Sequence, residues 1–102
     1  MNLQALIIHA DDNVANLIGP GEKGQSVECK TEGKTETTHV TLVDDIPANH
    51  KIAPVDIQAG SPIIKYGLCI GRASCDIQTG SHVHVHNIES NRGRGDLKGG
   101  TQ

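Results

Sequence analysis

One eight-residue pattern occurs three times and limits the possible fold more than any other feature of the chain. Asp45-Ile46-Pro47-Ala48-Asn49-His50-Lys51-Ile52, Asp56-Ile57-Gln58-Ala59-Gly60-Ser61-Pro62-Ile63 and Asp76-Ile77-Gln78-Thr79-Gly80-Ser81-His82-Val83 share one template: Asp-Ile, two variable residues, a turn residue, two variable residues, then Ile or Val. Asn49, Gly60 and Gly80 hold the turn place, and these residue types accept a positive φ most readily. Each copy therefore predicts a strand end, a tight turn and a new strand. Solenoid repeats need at least roughly 20 residues per unit, so the copies point to a mainly β body whose several short strands meet at similar corners. At 102 residues the chain makes one domain. It has no Phe, no Trp and only Tyr66 among aromatics. Burial then falls to Ile, Val, Leu and Ala, which favours β-branched strand packing over a large aromatic pocket.

Outside the copies, Leu3 to His9 reads as an apolar strand. Asp11-Asp12-Asn13 reads as a helix start before Val14, Leu17 and Ile18, so one short helix is expected, ended by Gly19-Pro20-Gly21. Charges interleave from Glu22 to Glu36, and Gly33 sits where an exposed hairpin would reverse into Thr37 to Val43. Cys29, Cys69 and Cys75 are odd in number and match no zinc or CxxC spacing, so they are read as reduced, small buried hydrophobes. The domain is placed at residues 1–88, with 89–102 a flexible C-terminal tail too poor in apolar side chains to offset its ordering entropy.

Nine Lys and Arg against 12 Asp and Glu give a net charge of -3, which argues against a nucleic-acid partner. No apolar run approaches the roughly 20 residues that span a bilayer, and Met1-Asn2-Leu3-Gln4 opens no signal-type segment, so no membrane role and a cytoplasmic location are expected.

His82, His84 and His86 alternate with Val83 and Val85. On a strand the three imidazoles would share one face while the valines turn to the core. That face is either a metal-ligating surface or a polar strand face at a subunit contact. His50-Lys51 follows the first corner and Lys65-Tyr66-Gly67 lies between the second and third. Lys and His can take a proton beside a carboxylate and Lys can hold its charge, though both are also ordinary surface bases. Tyr66 is either a core plug or a hydroxyl donor to a bound oxyanion.

Four ordered segments resemble the altronate and galactarate dehydratase family: Ile8-His9-Ala10-Asp11-Asp12-Asn13-Val14-Ala15, His50-Lys51-Ile52-Ala53, Ile64-Lys65-Tyr66-Gly67-Leu68-Cys69-Ile70-Gly71 and His82-Val83-His84-Val85-His86-Asn87. The resemblance spans residues 3 to about 96. It implies a SAF-type β-clip, similar to type III antifreeze protein, that accompanies a larger catalytic portion. Since the chain stops after the clip, it is expected to be a separately encoded small subunit of a two-component lyase that eliminates water from a sugar acid. The partners implied are a large catalytic subunit and a small sugar-acid substrate, with a homo-oligomer also compatible. A divalent metal, Fe2+, held mainly by or with the large subunit, is the implied cofactor. By the same resemblance His50, Lys65 and Tyr66 are candidate catalytic residues. Lys51, Asn87, Arg92, Arg94, His9 and Asn13 are candidate substrate contacts, and His84 and His86 candidate metal ligands. The alternatives are the small subunit of a sulfolactate-type sulfo-lyase, which expels sulfite, and a non-catalytic module binding carbohydrate acids.

Overall fold

The computed structural model describes residues 3–90. Two sheets carry the chain. Strands β1 (Leu3–Ile7), β2 (Ala15–Ile18), β3 (Ser26–Thr31), β4 (Thr37–Thr41), β5 (Lys51–Ile52) and β8 (His82–Val83) form one in the order β4-β3-β1-β2-β5-β8. Strands β6 (Pro62–Lys65), β7 (Leu68–Ala73) and β9 (Ile88–Ser90) form the other, in the order β6-β7-β9. The core divides into two apolar clusters, and β8 of the six-stranded sheet contributes Val83 to the second. Leu17, Val27, Leu42, Ile46 and Ile52 lead the first, and Ile57, Ile63, Ile77 and Val83 the second.

The predicted corners are present. Ile46, Ile57 and Ile77 are buried, each in an antiparallel bridge, and Asn49, Gly60 and Gly80 have φ of 67°, 85° and 90°. In every corner the sixth residue donates its N–H to the carbonyl of the third, closing a four-residue turn whose third place needs positive φ. The eighth residues Ile52, Ile63 and Val83 are fully buried.

A fourth corner was hidden in the sequence. Pro20-Gly21-Glu22-Lys23-Gly24-Gln25-Ser26-Val27 makes the same turn, with Gly24 at φ 90°, Gln25 N–H on Glu22 O at 3.0 Å and Val27 fully buried. In all four, the fifth residue donates to the carbonyl of a buried residue on another segment, and that residue's N–H returns to the sixth carbonyl. Gly24 and Gln25 are tied in this way to Leu42, Asn49 and His50 to Leu17, Gly60 and Ser61 to Ala73, and Gly80 and Ser81 to Ala53. The Asp-Ile signature is missing because Gly21 stands where Ile would. A Cβ there would lie 2.5 Å from Leu42 Cδ1.

Residues 15–18 form a strand and not the expected helix. Ala15 and Leu17 are buried on alternate places, and the segment lies between β1 and β5, whose ladders satisfy its backbone. The polar run before it caps a loop: Asp12 accepts the N–H groups of His9 and Gly67. The Gly33 hairpin joins β3 to β4 as expected. The three cysteines are in no disulfide; Cys29 is buried, and burial pushes its thiol up to about 11, whereas Cys69 and Cys75 are exposed, contrary to expectation. Strand β9 carries pairing through Ser90, beyond the boundary drawn at residue 88. The rest of the expected tail lies outside the described residues.

Candidate functional site

β5 and β8 pair for two residues each, Lys51 with Val83 and Ile52 with His82. Continued one step beyond the ladder, this antiparallel register sets His50 opposite His84, so an imidazole from the first corner meets two from the third. His50 Nδ1 and His82 Nε2 are 2.8 Å apart, one ring donating and the other accepting. The His50 and His84 ring centroids are 4.6 Å apart, and the His82 and His84 rings stack at 5.5 Å. One nitrogen from each of the three half-buried rings lies within 4.8 Å of the others.

The expected alternation holds for His82 and His84 and then ends. After the buried Val83 the chain leaves the sheet, so Val85 is 80% exposed and does not face the core. His86 is exposed too and approaches the cluster only through its ring, 5.2 Å from that of His82. Asn87 explains the departure. It is buried, its Oδ1 accepts the His84 N–H at 2.9 Å, and its Nδ2 donates to the His82 carbonyl at 2.8 Å. These are backbone groups that a longer β8 would have offered to a neighbouring strand. Asp44 accepts the His82 N–H from the other direction at 3.1 Å. Asn87, a candidate substrate contact, thus has both ends of its amide on the backbone of the histidines.

The lysines continue the wall. Burial first, and the Lys65 ammonium second, hold Lys51 below the usual lysine range. His84 is lowered by burial and then by His50, Lys51 and His86; His82 is lowered by burial and then by His50, His86 and His84, against the opposing pull of Asp44. Lys65 thus acts on Lys51, and Lys51 on His84, through their charges. At neutral pH both histidines present neutral imidazoles, the form that accepts a proton or ligates a metal. Lys65 Nζ sits 4.9 Å from the centroid of the Tyr66 ring. Tyr66 has φ 56° and is 54% exposed, which removes the core-plug reading.

His9 and Asn13 serve the neighbouring loop. His9 Nδ1 accepts the Asp11 N–H at 3.1 Å, and its ring packs against Gly67, where a Cβ would come within 3.0 Å of it. Asn13 pins β6, accepting the Ile64 N–H at 2.7 Å and donating to Pro62 O at 2.8 Å. Arg92 and Arg94 lie outside the described residues. A groove between the second and third corners, lined by Asp56, Ile57, Gln58, Asp76, Ile77 and Gln78, holds none of the candidates. Its carboxylates accept backbone N–H groups of Thr79 and Ala59.

Three imidazole nitrogens grouped without a carboxylate suit a borderline first-row ion and not Mg2+ or Ca2+. The residues present thus fit the divalent ion that the resemblance implies, with His50 and His82 beside His84, where the sequence had pointed to His84 with His86. Sequence reading missed His50 as a member of this group because its proximity depends on the β5–β8 register.

A curled assembly of short strands with like corners and a polar wall along one edge defines a β-clip domain of the SAF class. The family model for the altronate/galactarate dehydratase SAF domain matches residues 3–91, and the chain belongs to that family. It is 43% identical over 89 residues to altronate dehydratase of Escherichia coli and 38% identical over 84 residues to that of Bacillus subtilis. These matches cover 87% and 82% of the chain but 17% and 16% of those proteins. The chain thus spans about a sixth of the length of these relatives. It is also 34% identical over 93 residues to the (2R)-sulfolactate sulfo-lyase subunit alpha of Chromohalobacter salexigens, covering 90% of the chain and 99% of that subunit.

Proposed function

We propose that the chain is the small subunit of a two-component lyase that eliminates water from a sugar acid, and that it supplies one wall of the active site. The observation that carries this reading is the convergence of His50, His82 and His84, with the charge of Lys51 acting on His84, which brings proton-accepting groups within the field of an anion-holding one. Dehydration of a 2,3-dihydroxy acid breaks the C–H bond beside the carboxylate and the C–O bond of the next carbon, so that water leaves and the remaining enol becomes a 2-keto acid. The Lys51 and Lys65 ammonium groups hold the carboxylate and favour the negative charge that grows on it as the proton leaves. An imidazole of the wall takes that proton. In the ion-free wall His50 is the base of choice, because its ring touches both His82 and His84. The Tyr66 hydroxyl, exposed beside Lys65, donates to the substrate's oxygens. Where His50, His82 and His84 instead hold a divalent ion, that ion would polarise the leaving oxygen, and a group other than its ligands would take the proton. The large subunit provides the remaining walls and excludes water.

A second reading is favoured by one observation, the match along nearly the whole length of a sulfo-lyase subunit alpha. The same wall would then serve a shorter acid from which sulfite leaves.

The test reconstitutes the chain with its large subunit and follows keto-acid formation from altronate, with sulfite release from sulfolactate as the second arm. Turnover is expected to require both chains, and Lys51→Ala to raise KM at least about tenfold by removing a charge-assisted contact. Full activity of the large subunit alone, with unchanged KM, would overturn the proposal. Tight hexonate binding by the free small chain without any contribution to turnover would identify a binding module in its place.

A further inference from the structure

We propose that this chain by itself forms a tri-imidazole site for a borderline first-row transition ion, with His50, His82 and His84 as ligands and Asn87 as the positioning residue that sets their spacing. Ligands 2.0–2.1 Å from one ion lie about 3 Å apart when adjacent, and His50 Nδ1 and His82 Nε2 are already 2.8 Å apart. A nitrogen of His84 completes a group no wider than 4.8 Å.

The backbone behind the three rings is fixed on every side. The first corner holds His50, whose carbonyl accepts the Leu17 N–H at 2.9 Å while the Asn49 N–H is bound to Leu17 O. Asp44 holds the His82 N–H. The Asn87 amide spans the peptide groups on both sides of Val83, gripping the His82 carbonyl and the His84 N–H together. A buried amide that ties the backbones of two ligands governs metal affinity without touching the metal, as outer-shell partners do elsewhere. His86 is not a ligand here, because the turn that Asn87 closes carries it to the exposed side of His82. All three ligands are half-buried, which leaves coordination positions open toward solvent or a substrate.

The proposal shares the imidazole wall with the proposed function, but metal binding to the isolated chain involves neither substrate nor turnover, so either can fail alone. The experiment titrates the full-length chain with Co2+, reading the visible absorption of the bound ion, and with Zn2+ by calorimetry. One equivalent is expected. His50→Ala, His82→Ala or His84→Ala should each weaken binding by more than about 100-fold, and His86→Ala should leave it unchanged. Asn87→Ala should weaken it about 10- to 100-fold and alter the Co2+ spectrum. Asn87→Asp keeps the acceptor for His84 and loses the donor to His82, so it should recover part of the affinity; it decides the matter if the alanine variant does not fold. The proposal is overturned by no saturable binding, by His86→Ala matching the loss of His84→Ala, or by folded Asn87 variants with the affinity and spectrum of the parent chain.

Discussion

The second and third corners face each other across the Ile57–Ile77 bridge as near-equals. Their backbones exchange hydrogen bonds at 2.8 and 2.7 Å, Asp56 accepts the Thr79 N–H, and Asp76 accepts the Ala59 N–H. The hidden corner and the first corner make the same bridge at Gly21 and Ile46 but cap only one way: Asp45 accepts the Lys23 N–H, while Pro20 stands where the returning carboxylate would be. The symmetric pair has spent its side chains on holding itself together. Chemistry enters where the first corner departs from the repeat: it carries His50 at the place that Gln25, Ser61 and Ser81 hold in the other three, and there it meets His82 and His84 of the third corner. A repeated corner supplies the scaffold, and departure from the repeat supplies the reactive group.

The comparison is broken most severely at Gly80. Gly60 and Gly80 occupy the same place with similar φ, yet a Cβ on Gly80 would lie 2.1 Å from the Thr41 carbonyl oxygen, whereas one on Gly60 meets nothing within 4 Å. Gly80→Ala is expected to cost at least about 4 kcal/mol. Gly60→Ala should cost only the left-handed penalty, about 1–2 kcal/mol. Urea unfolding of the two variants measures the difference, and equal losses would refute the packing asymmetry. At the other pair, Gly21→Ala forces the buried Leu42 to move and should cost about 1–3 kcal/mol by overpacking, seen as a lower urea midpoint with unchanged m-value. The smallest effect belongs to Asp12. Burial works to raise its pKa, but the N–H groups of Gly67, Tyr66 and His9 together outweigh it, and the net pKa is lowered. Its stabilising contribution is therefore complete above the ordinary carboxylate range and fades as pH falls through the lower folded-state value. In Asp12→Asn that acid-dependent component should vanish from unfolding curves recorded between neutral pH and about pH 3.

The corners with Asp-Ile were legible because their information is local: a residue tolerant of positive φ in the fifth place and a buried aliphatic in the eighth. Gly21 escaped notice because its reason for being glycine is Leu42, distant in sequence. The segment from Ala15 to Ile18 misled for a related cause. Its polar lead, Asp11-Asp12-Asn13, has the chemistry of a helix cap but bonds across to the β6–β7 hairpin. At the site, the shared face of His82 and His84 followed from strand period. Val85 and His86 broke that period because Asn87 captures the backbone.

What the sequence determined alone is a mainly β domain turning at like corners, with a short apolar complement and a histidine-rich edge, since turn chemistry and strand alternation act over a few bonds. Tertiary structure alone decided which imidazoles meet. Pairing register between β5 and β8 goes with burial of Ile52 in the first apolar cluster and Val83 in the second, and the position of His50 against His84 follows from that pairing, which neither segment encodes by itself.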